Sequence, residues 1–215
     1  MPEPARKLKR STVKNIFRFP STKSGSAKNI LVESYLEAKY CLHLEFDPRV
    51  THYYPQPKTF EVDISAEKVR SYTPDFKVEF DTGELCYREV KPNAFAENDE
   101  YQVLFKRFSE MMAEKNIDFK VVGETEIDME PALSNYKLLH RYRKRPALNK
   151  EKLIACASKL PKTYSLTTLT ELLSGLVSTR EIYSWLAFDY LKFDIANVSF
   201  NVNVEVYFDV PHIFK

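Results

Sequence analysis

Between Tyr72 and Lys91 the chain alternates, turns and alternates back, and this stretch constrains the fold more than any other. Phe76, Val78 and Phe80 fall on one face of the first run, with Asp75, Lys77 and Glu79 on the other. Asp81-Thr82-Gly83 is a turn signal with a glycine available for a left-handed position, and Glu84 to Lys91 forms the return strand. A three-residue loop sets Phe80 opposite Glu84 and Asp75 opposite Glu89, so that both carboxylates and Lys91 share one face. A two-residue loop would shift the register and separate them. Two like charges facing each other destabilise an ordinary sheet, and a cation between them resolves the conflict.

An aspartate on one strand, followed by an acid and a lysine two apart on the next, suits metal-dependent phosphodiester chemistry. Carboxylates bind hard cations through oxygen, and the lysine stands beside the attacked phosphate. The plainer alternative for Glu89 and Lys91 is a surface ion pair on an exposed strand.

Composition removes several other classes. A charged fraction of 29% with 13% aromatics describes a folded chain, and 215 residues suffice for one large domain or two small ones. Cys41, Cys86 and Cys156 are few and far apart, which predicts buried thiols in a reducing cytoplasm rather than disulfides or a zinc site. The glycines, at 25, 83, 123 and 175, are too widely spaced for a dinucleotide fingerprint or a P-loop. No apolar run approaches the roughly 20 residues of a membrane helix, and the basic N-terminal stretch lacks the apolar segment of a secretory signal.

Residues 1–28 form a basic arm, with Arg6, Lys7, Lys9, Arg10, Lys14, Arg18, Lys23 and Lys28 against Glu3; such an arm tracks phosphates or simply solubilises. A helix is predicted from an Asn29 N-cap to Asp47-Pro48, with Leu31, Val32, Tyr35, Leu36, Leu42 and Phe46 as its apolar series. Glu37 lies at the margin of that stripe, and sequence physics alone reads it as a solvated helix glutamate. Val50 to Asp63 reads as an irregular entry into strand. After the hairpin come a helix over 97–115 with Val103, Leu104, Phe108, Met111 and Met112 buried, a strand over 119–123 and a helix over 131–142. This order predicts an α/β sheet with helices packed on it.

Arg141, Arg143, Lys144 and Arg145 before Pro146 mark the expected boundary between a nuclease-type domain at 29–145 and a C-terminal domain at 146–215. In the latter, helices at 149–160, 166–174 and 179–192 precede strands at 193–199 and 202–208, a winged-helix arrangement. Its would-be reading helix, Arg180 to Leu186, is mostly apolar, and acids outnumber bases from 163 onward. That composition favours docking a protein over reading bases.

Ser34-Tyr35-Leu36-Glu37, Gln56-Pro57, Tyr72-Thr73-Pro74-Asp75-Phe76 and Glu89-Val90-Lys91-Pro92, in that order, resemble the TnsA family, the endonuclease subunit of a heteromeric bacterial transposase. The resemblance implies a restriction-endonuclease-like PD-(D/E)xK core with a winged-helix C-terminal domain. It implies that Glu37, Asp75 and Glu89 hold one or two Mg²⁺ ions, for which Mn²⁺ can substitute, with Lys91 as the site lysine. The Val90 carbonyl can add a further oxygen. Gln56 is either a supporting residue near the site or a turn residue between prolines. The implied activity is cleavage of the 5′, non-transferred strands at transposon ends, alongside a TnsB-type DDE transposase and a TnsC-type AAA+ regulator, in the cytoplasm and without a membrane. Two alternatives remain: a stand-alone restriction or repair nuclease of the same fold, and a non-catalytic adaptor bridging DNA ends.

Overall fold

The computed structural model describes residues 15–25, 28–95, 99–160 and 162–213. Most of the basic arm, the expected helix start at Glu97 and Lys215 lie outside the described residues. The chain folds as two compact units, 1–128 and 129–215.

In the first unit, β1 (Phe17–Phe19) pairs antiparallel with β2 (Ile30–Val32) ahead of α1 (Tyr35–Phe46). Helix α1 therefore starts later than an Asn29 cap would set it. Ser34 is the cap instead, with its Oγ accepting from Glu37 N–H at 3.0 Å, because Ile30-Leu31-Val32 is apolar and, at Ile30 and Val32, β-branched, and is drawn into a strand. Part of the arm is likewise structural. Lys23 donates from Nζ to the Leu44 and Asp47 carbonyls at 3.0 and 2.6 Å, where a cation complements the C-terminal end of α1.

Strands β3 (Val50–Pro55), β6 (Phe76–Phe80), β7 (Leu85–Lys91) and β8 (Asp118–Gly123) form a sheet in the order β3-β6-β7-β8, the last pair parallel. Along the chain, β3 and β6 are separated by a hairpin of its own sheet, β4 (Phe60–Ser65) and β5 (Lys68–Tyr72). The β6–β7 register is the expected one, Phe76 opposite Arg88 through Glu79 opposite Leu85. Gly83 sits at φ +84° in the turn, and Phe80 N–H donates to the Glu84 carbonyl.

One face of this sheet packs on α1, through Tyr40 against Phe76 at 5.6 Å between rings. The other carries α2 (Asp99–Ala113), whose Phe108 is fully buried among Phe60, Tyr72, Tyr87 and Phe119 at 5.1, 4.7, 5.9 and 4.9 Å. Of the stripe expected for this helix, Leu104, Phe108 and Met112 are buried, whereas Val103 is 44% exposed. Helix α3 (Glu124–Ile127) closes the unit.

The first helix of the second unit is α4 (Ala132–Lys144), so this helix and the basic cluster Arg141–Arg145 fall within 129–215. There follow α5 (Lys150–Lys159), β9 (Tyr164–Ser165), α6 (Leu166–Leu172), α7 (Thr179–Ala187), β10 (Leu191–Lys192), β11 (Glu205–Phe208) and α8 (Val210–Ile213). The strands order β10-β11-β9, all antiparallel. Residues 193–199, expected as a strand, are irregular; Asn135 Nδ2 binds the Ile195 and Val198 carbonyls there, satisfying backbone that a ladder would otherwise have used. Helix α4 lies along α7: Tyr142 and Tyr183 rings meet at 5.0 Å, and Arg143 donates to the Ala187 carbonyl at 2.7 Å.

Candidate active site

The β6–β7 hairpin brings Asp75 and Glu89 together as its register requires. Asp75 N–H donates to Glu89 Oε2 at 3.3 Å, and Val90 N–H donates to Asp75 Oδ2 at 2.8 Å. Lys91 Nζ lies 2.5 Å from Glu89 Oε1, and Tyr72 at the end of β5 donates its hydroxyl to Glu89 Oε2 at 2.7 Å. Glu89 is only 4% exposed, so the surface ion pair considered for it is not what forms. Gln56, 4% exposed and at φ +46°, ties its N–H to the Asp75 carbonyl at 2.8 Å, so a strained backbone position braces the aspartate.

Glu37 arrives from α1. It is 6% exposed, against the solvated placement that sequence physics favoured, and its carboxylate accepts from Glu33 N–H at 2.9 Å and Ser34 Oγ at 2.8 Å. Burial holds its carboxyl above the ordinary glutamate range despite those donors. Burial, then the charges of Glu89 and Glu37, push Asp75 well above the usual carboxylate range, with Lys91 and the Val90 N–H pulling the other way. For Lys91, burial works against the charge, but the Asp75 and Glu89 carboxylates outweigh it and raise its pKa. Three carboxylates thus interact within one electrostatic neighbourhood, and the cation acting on both Asp75 and Glu37 is Lys91.

This surplus of buried negative charge, built from hard oxygen donors, fits a divalent cation such as Mg²⁺. The oxygens are nonetheless engaged by protein donors, and among the described residues no three His, Cys, Asp or Glu side chains are gathered in a metal-holding arrangement. Convergence on an ion requires Glu37 and Glu89 to turn away from Ser34 and Lys91.

Sequence reasoning gave Tyr72 no role of its own. Its signal was its place in the same short segment as Asp75, with an aromatic surround that offers a hydroxyl few other partners. His43, half-buried with Nε2 2.8 Å from the Ile127 carbonyl and its pKa lowered by burial, is a structural residue.

No helix among the described residues is long and apolar enough to cross a membrane. No curated protein matches the chain. Residues 47–124 match the family model described as the TnsA-like endonuclease N-terminal domain, a segment that holds Asp75, Glu89, Val90 and Lys91 and leaves Glu37 just outside it. The match gives this segment the character of a TnsA-like DNA-endonuclease domain of the Tn7 transposition type.

Proposed function

We propose that the protein is a Mg²⁺-dependent DNA endonuclease that cuts the 5′, non-transferred strands at transposon ends, working in the cytoplasm beside a TnsB-type DDE transposase. The observation that carries this reading is the opposition of Asp75 and Glu89 on the β6–β7 hairpin, with Lys91 on the same face and all three inside the matched segment. Asp75, Glu89 and Glu37, with the Val90 carbonyl, are the oxygens that would hold the ion. When bound, Mg²⁺ supplies a lowered pKa for water and neutralises charge on the phosphate oxygens.

The residues themselves do the rest. Val90 N–H fixes the Asp75 carboxylate through Oδ2, and the charges of Glu89 and Glu37 act on that carboxylate. Lys91 keeps its proton against burial because two carboxylates hold it, so it presents a full charge to a phosphate placed against the hairpin.

The second unit supports a docking role. We read its order α5-β9-α6-α7-β10-β11, with β11 central in the small sheet, as a winged-helix arrangement. Helix α7, which would enter a groove, buries Ile182, Ser184, Trp185, Leu186 and Ala187 and is flanked by α4. A helix so covered reads bases poorly. We therefore assign this unit to protein contacts, with a TnsC-type AAA+ regulator as the expected partner.

The test is cleavage of transposon-end DNA with the partner transposase, with and without Mg²⁺, for wild type and Asp75→Ala. The expected result is Mg²⁺-dependent 5′-strand cutting that the variant loses while still entering the complex. Unchanged cutting by Asp75→Ala would sink the site, and robust specific cutting without the transposase would favour a stand-alone nuclease.

A further inference from the structure

We propose that Tyr72 is the positioning residue of this site: its hydroxyl holds the Glu89 carboxylate in the orientation from which Glu89 binds a divalent cation. The inference rests on Glu89 being a ligand, and the experiment below separates the two.

Glu89 projects from β7 on three rotatable bonds and needs something to fix its carboxylate plane. Tyr72 does this from a neighbouring hairpin with a hydrogen bond of 2.7 Å to Oε2. The ring that carries the hydroxyl cannot swing. Tyr72 is 7% exposed, and its ring is packed by Phe108 at 4.7 Å, Phe105 at 6.0 Å and Phe119 at 6.4 Å. Every one of those contacts would be served equally by phenylalanine, so packing explains the ring and not the hydroxyl. The hydroxyl donates to Glu89, a residue itself 4% exposed.

The division of labour between the two oxygens of Glu89 follows. Oε2 is shared by two fixed groups, the Tyr72 hydroxyl and the Asp75 N–H, whereas Oε1 faces Lys91, a long flexible cation. An incoming divalent ion competes with a mobile ammonium at Oε1 and not with a rigid phenol. Tyr72 thereby turns Glu89 into a one-sided ligand aimed along the face that Asp75 shares. A charge-assisted bond in a buried setting is strong enough for that task, and removing the partner that orients a metal ligand typically weakens metal binding or activity about 10- to 100-fold.

The experiment is Mn²⁺ binding to the full chain without DNA, followed by isothermal titration calorimetry and by the Mn²⁺ electron paramagnetic resonance signal, for wild type, Tyr72→Phe, Phe105→Leu and Asp75→Asn. Tyr72→Phe should melt near wild type and bind Mn²⁺ about 10- to 100-fold more weakly. Its DNA cleavage with the partner transposase should return at raised ion concentration. Phe105→Leu loosens the same aromatic cluster without touching the hydroxyl and should lower the melting temperature while keeping Mn²⁺ affinity. Wild-type affinity in Tyr72→Phe overturns the proposal and leaves the site intact. Equal weakening in Phe105→Leu overturns it too, by reducing Tyr72 to packing. A wild-type chain that binds no Mn²⁺, or an Asp75→Asn variant that binds as well as wild type, removes the metal site itself and the proposal with it.

Discussion

The two ends of α1 hold buried glutamates in opposite electrostatic states. At the C-terminal end Glu45, fully buried, accepts from Ser21 Oγ, Thr22 N–H, Thr22 Oγ1 and the Tyr53 hydroxyl. Burial alone would raise its pKa, but these donors outweigh burial and hold the carboxyl below the ordinary glutamate range. At the N-terminal end Glu37 is nearly as buried, yet its donors fail to offset burial and its pKa stays high. The difference lies in the neighbours. Glu45 accepts from three hydroxyls and a backbone N–H, whereas Glu37 has two donors, stands in the field of the Glu33 carboxylate, and itself raises Asp75. A carboxylate with matched donors is a structural strut. A carboxylate raised by burial and by its acidic neighbours, as Asp75 is by Glu89 and Glu37, is held against its own preference, and such groups cluster at functional sites.

The largest expected effect tests that difference at Glu37. Glutamine there can still complete the helix-capping interaction, since Gln and Glu serve equally at the third position after a Ser cap. It removes one of the like charges from Asp75. Cleavage by Glu37→Gln should fall about 10³-fold, the scale of deleting a charge-stabilising group from an active site, while the urea midpoint stays at or above wild type. A loss of folding stability with cleavage intact would place Glu37 with Glu45 among the struts.

Glu45→Ala should do the reverse. It leaves several buried donors without an acceptor, and the cost is about 3 kcal/mol by urea unfolding at pH 7. Mn²⁺ affinity of the folded fraction should not change. The sign of the pH dependence follows from the lowered pKa: the contribution of Glu45 is fully present above its unfolded value near 4.3 and disappears as pH falls through the lower folded value. The gap between wild type and Glu45→Ala should therefore narrow on acidification from pH 7 to pH 3. A gap that widens would mean that the hydroxyls stabilise the protonated form.

How far each end could be read from the chain differs for the same physical reason. The hairpin was legible down to its register, because strict alternation and Asp81-Thr82-Gly83 are local signals, and the pairing they predict is the pairing found. The role of Glu45 was invisible, since Ser21 and Thr22 lie more than twenty residues from it, Tyr53 sits on the next strand, and nothing local marks them as partners. Asn29 drew the helix start away from Ser34 because both are good caps; the choice was made by β1, which recruits Ile30–Val32 into a strand. The β4–β5 hairpin escaped notice because its turn, Ala66-Glu67, carries neither glycine nor proline. Helix α4 ran straight into the Arg141–Arg145 cluster and was assigned to the first domain, whereas its packing on α7 is a long-range fact.

The smallest effect lies at the cap itself. Ser34 Oγ both accepts from Glu37 N–H and donates to Glu37 Oε1, so it serves the helix and the site together. Ser34→Ala should cost about 1 kcal/mol as a lost N-cap. If Ser34 only caps, cleavage should follow the folded fraction and nothing more. If the hydroxyl also holds Glu37 back from the ion, its removal frees one carboxylate oxygen, and Mn²⁺ should bind slightly more tightly even though the helix is weaker. The second outcome is expected, because the Ser34 bond occupies an oxygen that Glu37 needs for an ion, while Glu33 N–H continues to fix the other. Opposite movements of stability and ion affinity in one variant would distinguish this end of α1 from the end that carries Glu45, where every donor removed should weaken the fold and leave ion binding alone.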